Sequence, residues 1–222
     1  MDSNYGIKIW SDDNFIIEDG LAKINYDCKP SLISIVKDVR KQDFKGPLLL
    51  RFPHITEKQI NTLYNTFNAS IREYDYKGSF NAVFPLKVNQ LPNFIHPLIN
   101  CGKIFNYGLE AGSKAELVIA MTYNNIGAPI TVNGFKDKEM IHLCFIAKNM
   151  GHNITIIIEG LNELEMIIEV LNETKLVCPN IGLRVRLHSG GSGMWAKSGG
   201  INSKFGLTST EILEAFELME DN

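Results

Sequence analysis

Closely spaced cysteines are missing from this chain of 222 residues. Its four, Cys28, Cys101, Cys144 and Cys178, form no Cys-x-x-Cys unit and have no histidine at zinc-finger spacing. That argues against a structural zinc site, and no metal-ligating residue is assigned. Reduced, mostly buried thiols in a cytoplasmic protein are the simplest reading. Long apolar runs are missing too. The most apolar stretches, such as residues 154–158, fall far short of the roughly 20 residues that cross a bilayer, so no membrane partner is expected. Neither sign of charge is in excess: 22 Lys and Arg against 25 Asp and Glu leave a net charge of −3. No basic field favours nucleic acid. The opening Met1-Asp2-Ser3-Asn4-Tyr5 has neither the basic nor the apolar region of a signal peptide.

Core material is plentiful. Hydrophobic residues make up 45% of the chain, enough at this length for one domain or one and a half. Residues 1–80 and 81–222 differ in texture. In the first part, Ile7-Lys8-Ile9-Trp10, Phe15-Ile16-Ile17-Glu18 and Ala22-Lys23-Ile24-Asn25-Tyr26 read as short strands. Ser11-Asp12-Asp13-Asn14 and Asp19-Gly20 supply turn chemistry between them, which predicts a small antiparallel element. Helices follow near Ser31–Arg40 and Thr56–Tyr74, with Thr56 and Gln59 at capping-box spacing. From Asn81 on, strand-like runs recur near residues 81–86, 103–109, 128–132, 153–158 and 181–187, each followed by a helix-like stretch. A repeat of about 25 residues fits βα units of a parallel barrel, which needs eight. About five are present. The last helix, near Thr208–Glu220, again shows capping-box spacing at Thr208 and Glu211. An α/β fold with a partial barrel, two open edges and an uncovered apolar inner face is predicted.

Active sites of parallel barrels lie at the C-terminal ends of the strands. Lys87 stands at such an end, in Val83-Phe84-Pro85-Leu86-Lys87-Val88-Asn89-Gln90. Held in a partly dehydrated place, a lysine has a lowered pKa and a free lone pair, and so becomes a Schiff-base nucleophile. The plainer alternative is a solvated lysine in a turn. Glu110 ends the second strand of the repeat. Glu116 stands three residues after Ser113, so it could complete a capping box. Strand alternation puts Arg184 and Arg186 on one face of the fifth strand, which suggests either a polar barrel interior or an outer salt-bridged face. Residues 189–200 carry five glycines, but not in the strand–GxxxxGK[ST]–helix order of a P-loop.

The segment Tyr76-Lys77-Gly78-Ser79-Phe80-Asn81-Ala82-Val83-Phe84-Pro85-Leu86-Lys87-Val88-Asn89-Gln90 resembles the cofactor-lysine segment of biosynthetic arginine decarboxylases. These are pyridoxal-phosphate enzymes of the alanine racemase and ornithine decarboxylase barrel class. The likeness includes Tyr5–Ser11, Arg51–Ile55, Gly108–Leu117, Val132–Asp137, Gly191–Trp195 and Ser203–Leu207, in the family's order. It implies a cytoplasmic, homo-oligomeric lyase that converts L-arginine to agmatine and carbon dioxide on the route to polyamines such as spermidine. Pyridoxal phosphate is the implied cofactor, and magnesium is admitted by resemblance alone.

The resemblance gives Lys87 the covalent attachment of the cofactor. It gives Glu110 a place beside that lysine, and puts Glu116 and Arg184 near the cofactor. It sets His188 aside as a loop histidine, because the family's ring-stacking histidine belongs to a later strand. Lys204 matches a lysine that bonds across a dimer interface. The phosphate loop, the acid partner of the pyridine nitrogen and the loop contributed by a second subunit have no counterpart here. The chain is therefore expected to be the N-terminal part of such an enzyme and inactive alone. The alternatives are a stand-alone pyridoxal-phosphate-binding barrel that carries or buffers the cofactor, and a non-catalytic fragment that serves assembly.

Overall fold

The structure is a computed structural model that describes residues 6–187 and 205–222. Contacts divide the chain into two compact units, Met1–Asn61 and Thr62–Asn222.

In the first unit, residues Phe15–Glu18 (β1) and Leu21–Ile24 (β2) pair antiparallel, Phe15 opposite Ile24 and Glu18 opposite Leu21. Asp19 (φ 54°) and Gly20 (φ 71°) turn the hairpin. Two successive positive φ angles match the twist of the strands they join, which is why Asp-Gly serves here. The strand expected at Ile7–Trp10 is instead one helical turn (α1). Gly6, at φ 62°, starts it, and the Ser11 N–H closes it on the Ile7 carbonyl at 2.9 Å. Leu32–Lys41 (α2) is capped by the Ser31 hydroxyl, which accepts from the Ser34 N–H. Pro53–Glu73 (α3) begins three residues before Thr56, so Thr56 and Gln59 lie inside the helix and form no capping box. Proline suits that first turn because its missing N–H would have had no partner there.

The second unit is a parallel sheet of five strands in sequential order: Val83–Pro85 (β3), Gly108–Ala111 (β4), Pro129–Val132 (β5), Asn153–Ile158 (β6) and Asn180–Leu183 (β7). Helices Pro92–Gly102 (α4), Lys114–Tyr123 (α5), Lys138–Asn149 (α6) and Leu161–Glu173 (α7) link them, and Ser209–Glu220 (α8) follows. Ser113, Asp137 and Thr208 cap α5, α6 and α8, and Thr208 with Glu211 forms the expected reciprocal box. The C-terminal half of α3 is tied to the sheet by rings: Tyr64 stacks on Phe105 at 4.4 Å and Phe67 on Phe80 at 3.9 Å. The Tyr64 hydroxyl accepts from the Ala82 N–H at 3.2 Å, just before β3.

Three local expectations change. Lys103–Phe105 is a 3-10 turn ended by Asn106 at φ 53°, and the strand starts only at Gly108. A side chain at Gly108 would collide with the Pro129 carbonyl of β5, so only glycine lets these strands approach. Strand β7 stops at Leu183. Beyond it Val185 bridges in parallel to Leu207, and Arg186 N–H donates to the Leu207 carbonyl at 2.7 Å, so a further segment lies along this edge. The third change concerns the inner face. Strand alternation buries Leu109, Ala111, Ile130, Val132, Ile154, Ile156 and Ile158 completely. In register on the opposite face stand Glu110, Thr131, Thr155 and Asn180. The face expected to be apolar therefore carries a polar row across four strands.

At the start of β6, His152 is buried, and its Nδ1 is without a hydrogen-bond partner. Burial holds its pKa below the ordinary value of 6.5. The unfolded chain then binds the proton first as pH falls, so stability is lost from about pH 6.5 downward through the folded pKa. Urea unfolding between pH 7.5 and 5 is expected to show this loss, and His152→Asn to reduce its slope. An unchanged slope in the variant contradicts the assignment.

Candidate functional site

Five parallel strands bring their C-terminal ends to one edge of the sheet. Four chemically active side chains stand at or just beyond that edge: Lys87 after β3, Glu110 in β4, Glu159 after β6 and Arg184 after β7.

Lys87 and Glu110 meet because Pro85 and Glu110 are register partners and the Leu86 N–H donates to the Glu110 carbonyl at 3.0 Å. Lys87 Nζ lies 3.8 Å from Glu110 Oε1, with side chains 71% and 20% exposed. The partly dehydrated lysine expected from sequence is therefore solvent-open here. Strand β3 is an edge strand, paired on one side only.

Glu116 lies in the first turn of α5. Its backbone N–H donates to Ser113 Oγ at 3.2 Å, the first half of a capping box. Its carboxylate accepts from the Gly112 N–H at 2.7 Å, one residue before the cap, so the reciprocal half does not form as expected. The result is an ordered β4–α5 loop beside Glu110.

Arg184 Nη1 donates to Glu159 Oε1 at 2.8 Å, and its guanidinium lies 5.2 Å from the centre of the Phe205 ring. The Glu159 side chain is only 6% exposed. Arg186 turns to another partner, donating from Nε to the Gly206 carbonyl at 3.1 Å. The two arginines thus part company, and Arg184 alone joins the row of charges at the strand ends.

Three residues at this edge are absent from the sequence-based assignment: Glu159, Lys136 and Glu163. Lys136 Nζ pairs with Glu163 Oε2 at 3.0 Å, and both side chains are buried. Only the presence of Lys136 in the family-like segment Val132–Asp137 hinted at it. Its partner stands 27 residues away, beyond the reach of local pattern.

His188, Lys204 and the glycine-rich run 189–200 lie outside the described residues. Among those described, no group of three or more His, Cys, Asp or Glu could hold a metal ion, and no helix is long and apolar enough to cross a membrane. None of the four cysteines is in a disulfide. Burial pushes the Cys144 thiol up to about 12, which makes it inert as a nucleophile.

The family profile for the pyridoxal-dependent decarboxylase, pyridoxal binding domain, matches residues 58–221. A biosynthetic arginine decarboxylase from Bacteroides thetaiotaomicron is 42% identical over 190 residues, 85% of this chain and 30% of that protein. One from Prochlorococcus marinus is 38% identical over 227 residues, 99% of this chain and 35% of that protein. Among solved structures, the biosynthetic arginine decarboxylase from Campylobacter jejuni superposes with a TM-score of 0.89 at 58% identity, covering 98% of this chain and 35% of that one. The chain spans about a third of the length of these relatives.

Proposed function

Since this chain belongs to the pyridoxal-dependent decarboxylases, we propose that it forms the cofactor-attachment part of an enzyme that converts L-arginine to agmatine and carbon dioxide for polyamine synthesis. The observation that carries the reading is the Lys87–Glu110 pair: an open primary amine with a carboxylate 3.8 Å away, at the strand ends where parallel barrels place their chemistry.

These residues fit pyridoxal phosphate. Lys87 is an amine free to bond its carbonyl carbon, and the neighbouring carboxylate can accept or return a proton at Nζ. When bound, the cofactor supplies an electron sink for the pair left behind as the substrate's carboxylate departs. Lys87 holds the group. Glu110 stabilises the protonated amine whenever Lys87 is released. Glu116 orders the adjoining loop through the Gly112 N–H. Arg184, anchored by Glu159, adds a fixed positive charge at the opposite end of the row. Magnesium has no comparable support.

The same reading assigns residues 81–222 to the first part of a (β/α)8 barrel and residues 1–80 in part to a β domain. The sheet that begins at Val83 and the hairpin at residues 15–24 support that division. A cytoplasmic homo-oligomer follows the same resemblance, and four cysteines without a disulfide suit a reducing compartment.

A chimera tests the reading. This chain replaces the corresponding first third of the Campylobacter jejuni decarboxylase, and release of carbon dioxide from carboxyl-labelled arginine is measured. Retained turnover is expected. A folded chimera that binds pyridoxal phosphate yet leaves arginine untouched sinks the substrate assignment.

A further inference from the structure

A connected set of buried contacts runs behind the strand ends of β5, β6 and β7. Lys136 and Glu163 lie at its root, 0% and 3% exposed and 3.0 Å apart. We propose that they are a positioning pair, which fixes the β5–α6 and β6–α7 loops so that Glu159 presents its carboxylate to Arg184 at the site mouth.

Stability alone does not account for the pair. Taking two charges out of water is costly, and apolar residues of similar volume often stabilise a fold equally or better. Glu163 also does more than neutralise Lys136. Its Oε1 accepts from the Lys136 backbone N–H at 3.2 Å, and its Oε2 from the Glu159 backbone N–H at 2.9 Å. One carboxylate thus grips the chain just beyond β5 and just beyond β6. Lys136 Nζ donates in turn to the Gly134 carbonyl.

These contacts converge on Glu159. With its N–H held by Glu163, its carboxylate accepts from the Gly134 N–H at 3.3 Å and from Arg184 Nη1 at 2.8 Å. Gly134 is therefore held from both sides, its carbonyl by Lys136 and its N–H by Glu159. It also sits at φ +76°, with its missing Cβ position 3.1 Å from the Gly112 carbonyl. Gly112 is the residue ordered by Glu116. The chain at the ends of β5, β6 and β7 is in this way referred to one buried pair. An apolar pair of equal volume would fill the same space and offer neither N–H an acceptor.

The test separates filling from positioning. Lys136→Met with Glu163→Leu removes both charges together. Three quantities are read on this chain: melting temperature, the side-chain 15N NMR signal of Arg184 without cofactor (assigned with Arg184→Lys), and the pyridoxal phosphate concentration that half-labels Lys87 on borohydride reduction. The double variant is expected to fold but to melt some degrees below the parent, because two buried N–H groups lose their acceptor. Its Arg184 signal should change from a held guanidinium with slow Cζ–Nη rotation to the averaged signal of a free one. Half-labelling should need about tenfold more cofactor, the scale on which outer partners act on a bound group. If the double variant does not fold, Glu163→Gln serves, because one amide offers a single acceptor where two N–H groups need one. A folded variant of either kind with an unchanged Arg184 signal overturns the proposal. The labelling arm rests on the reading of Lys87 given above. If the parent takes no cofactor at Lys87, that reading fails, and the Arg184 signal still decides this one.

Discussion

Lys87→Ala in the chimera lowers arginine decarboxylation by roughly four orders of magnitude or more, the scale of losing a covalent catalytic group. Lys87→Arg fares no better. An arginine keeps the positive charge beside Glu110, but its guanidinium stays protonated and cannot attack a carbonyl. The two variants together separate charge from nucleophilicity. Neither should disturb the fold. The Lys87–Glu110 contact is 3.8 Å long and its lysine is 71% exposed, and exposed pairs contribute about 0–1 kcal/mol. Melting temperature should therefore stay near that of the parent while borohydride-fixed label disappears from the peptide containing residue 87. The chain has 17 lysines, so the criterion is selectivity at low cofactor concentration. Label spread evenly over surface lysines, or activity preserved in Lys87→Arg, removes Lys87 from the chemistry.

Lys136→Met is expected to reverse that profile, with a large loss of stability. The Glu163 carboxylate would remain buried without a countercharge, and stranding one partner of a buried pair costs about 3–5 kcal/mol. The two backbone N–H groups that Glu163 accepts soften the loss and place it toward the lower end of that range. For a chain of this size the melting temperature should drop by roughly 10 °C. Urea unfolding that shows less than about 1 kcal/mol of change would mean that water or a rearranged side chain reaches Glu163.

Much of this architecture can be read from local pattern. Asn153–Ile158 reads as a short β-branched apolar run and forms the strand at those same residues, and Thr208 with Glu211 caps the last helix as their spacing requires. Asp19-Gly20 turns the hairpin it was expected to turn. Pattern failed where few residues had to decide. Ile7-Lys8-Ile9-Trp10 alternates over only four positions, too few to tell a strand from one helical turn, and Gly6 tipped it to the turn. Thr56 and Gln59 have the right spacing for a cap, but Pro53 had already started the helix.

The polar row on the inner face escapes local pattern for another reason. Apolar runs do not show which residues share a face, and Glu110, Thr131, Thr155 and Asn180 become one row only after the strands are set in register. At the site, Lys87 and Glu110 stand at expected strand ends, whereas only the family resemblance favours Arg184 over Arg186. The Glu159 clamp and the Lys136–Glu163 pair join separate βα units, and nothing in either local sequence announces its partner.

The sequential strand order has a kinetic consequence. Each strand of the larger sheet starts about 25 residues after its neighbour, at Val83, Gly108, Pro129, Asn153 and Asn180, and pairs with the one made just before it. Every new pairing therefore closes only a short loop, at a modest entropy cost for a parallel sheet. On the ribosome, a strand can dock as soon as it and its preceding helix have emerged, without waiting for distant sequence. Growth then advances along one edge, from β3 toward β7, and Val185 meeting Leu207 is the next step of that same addition.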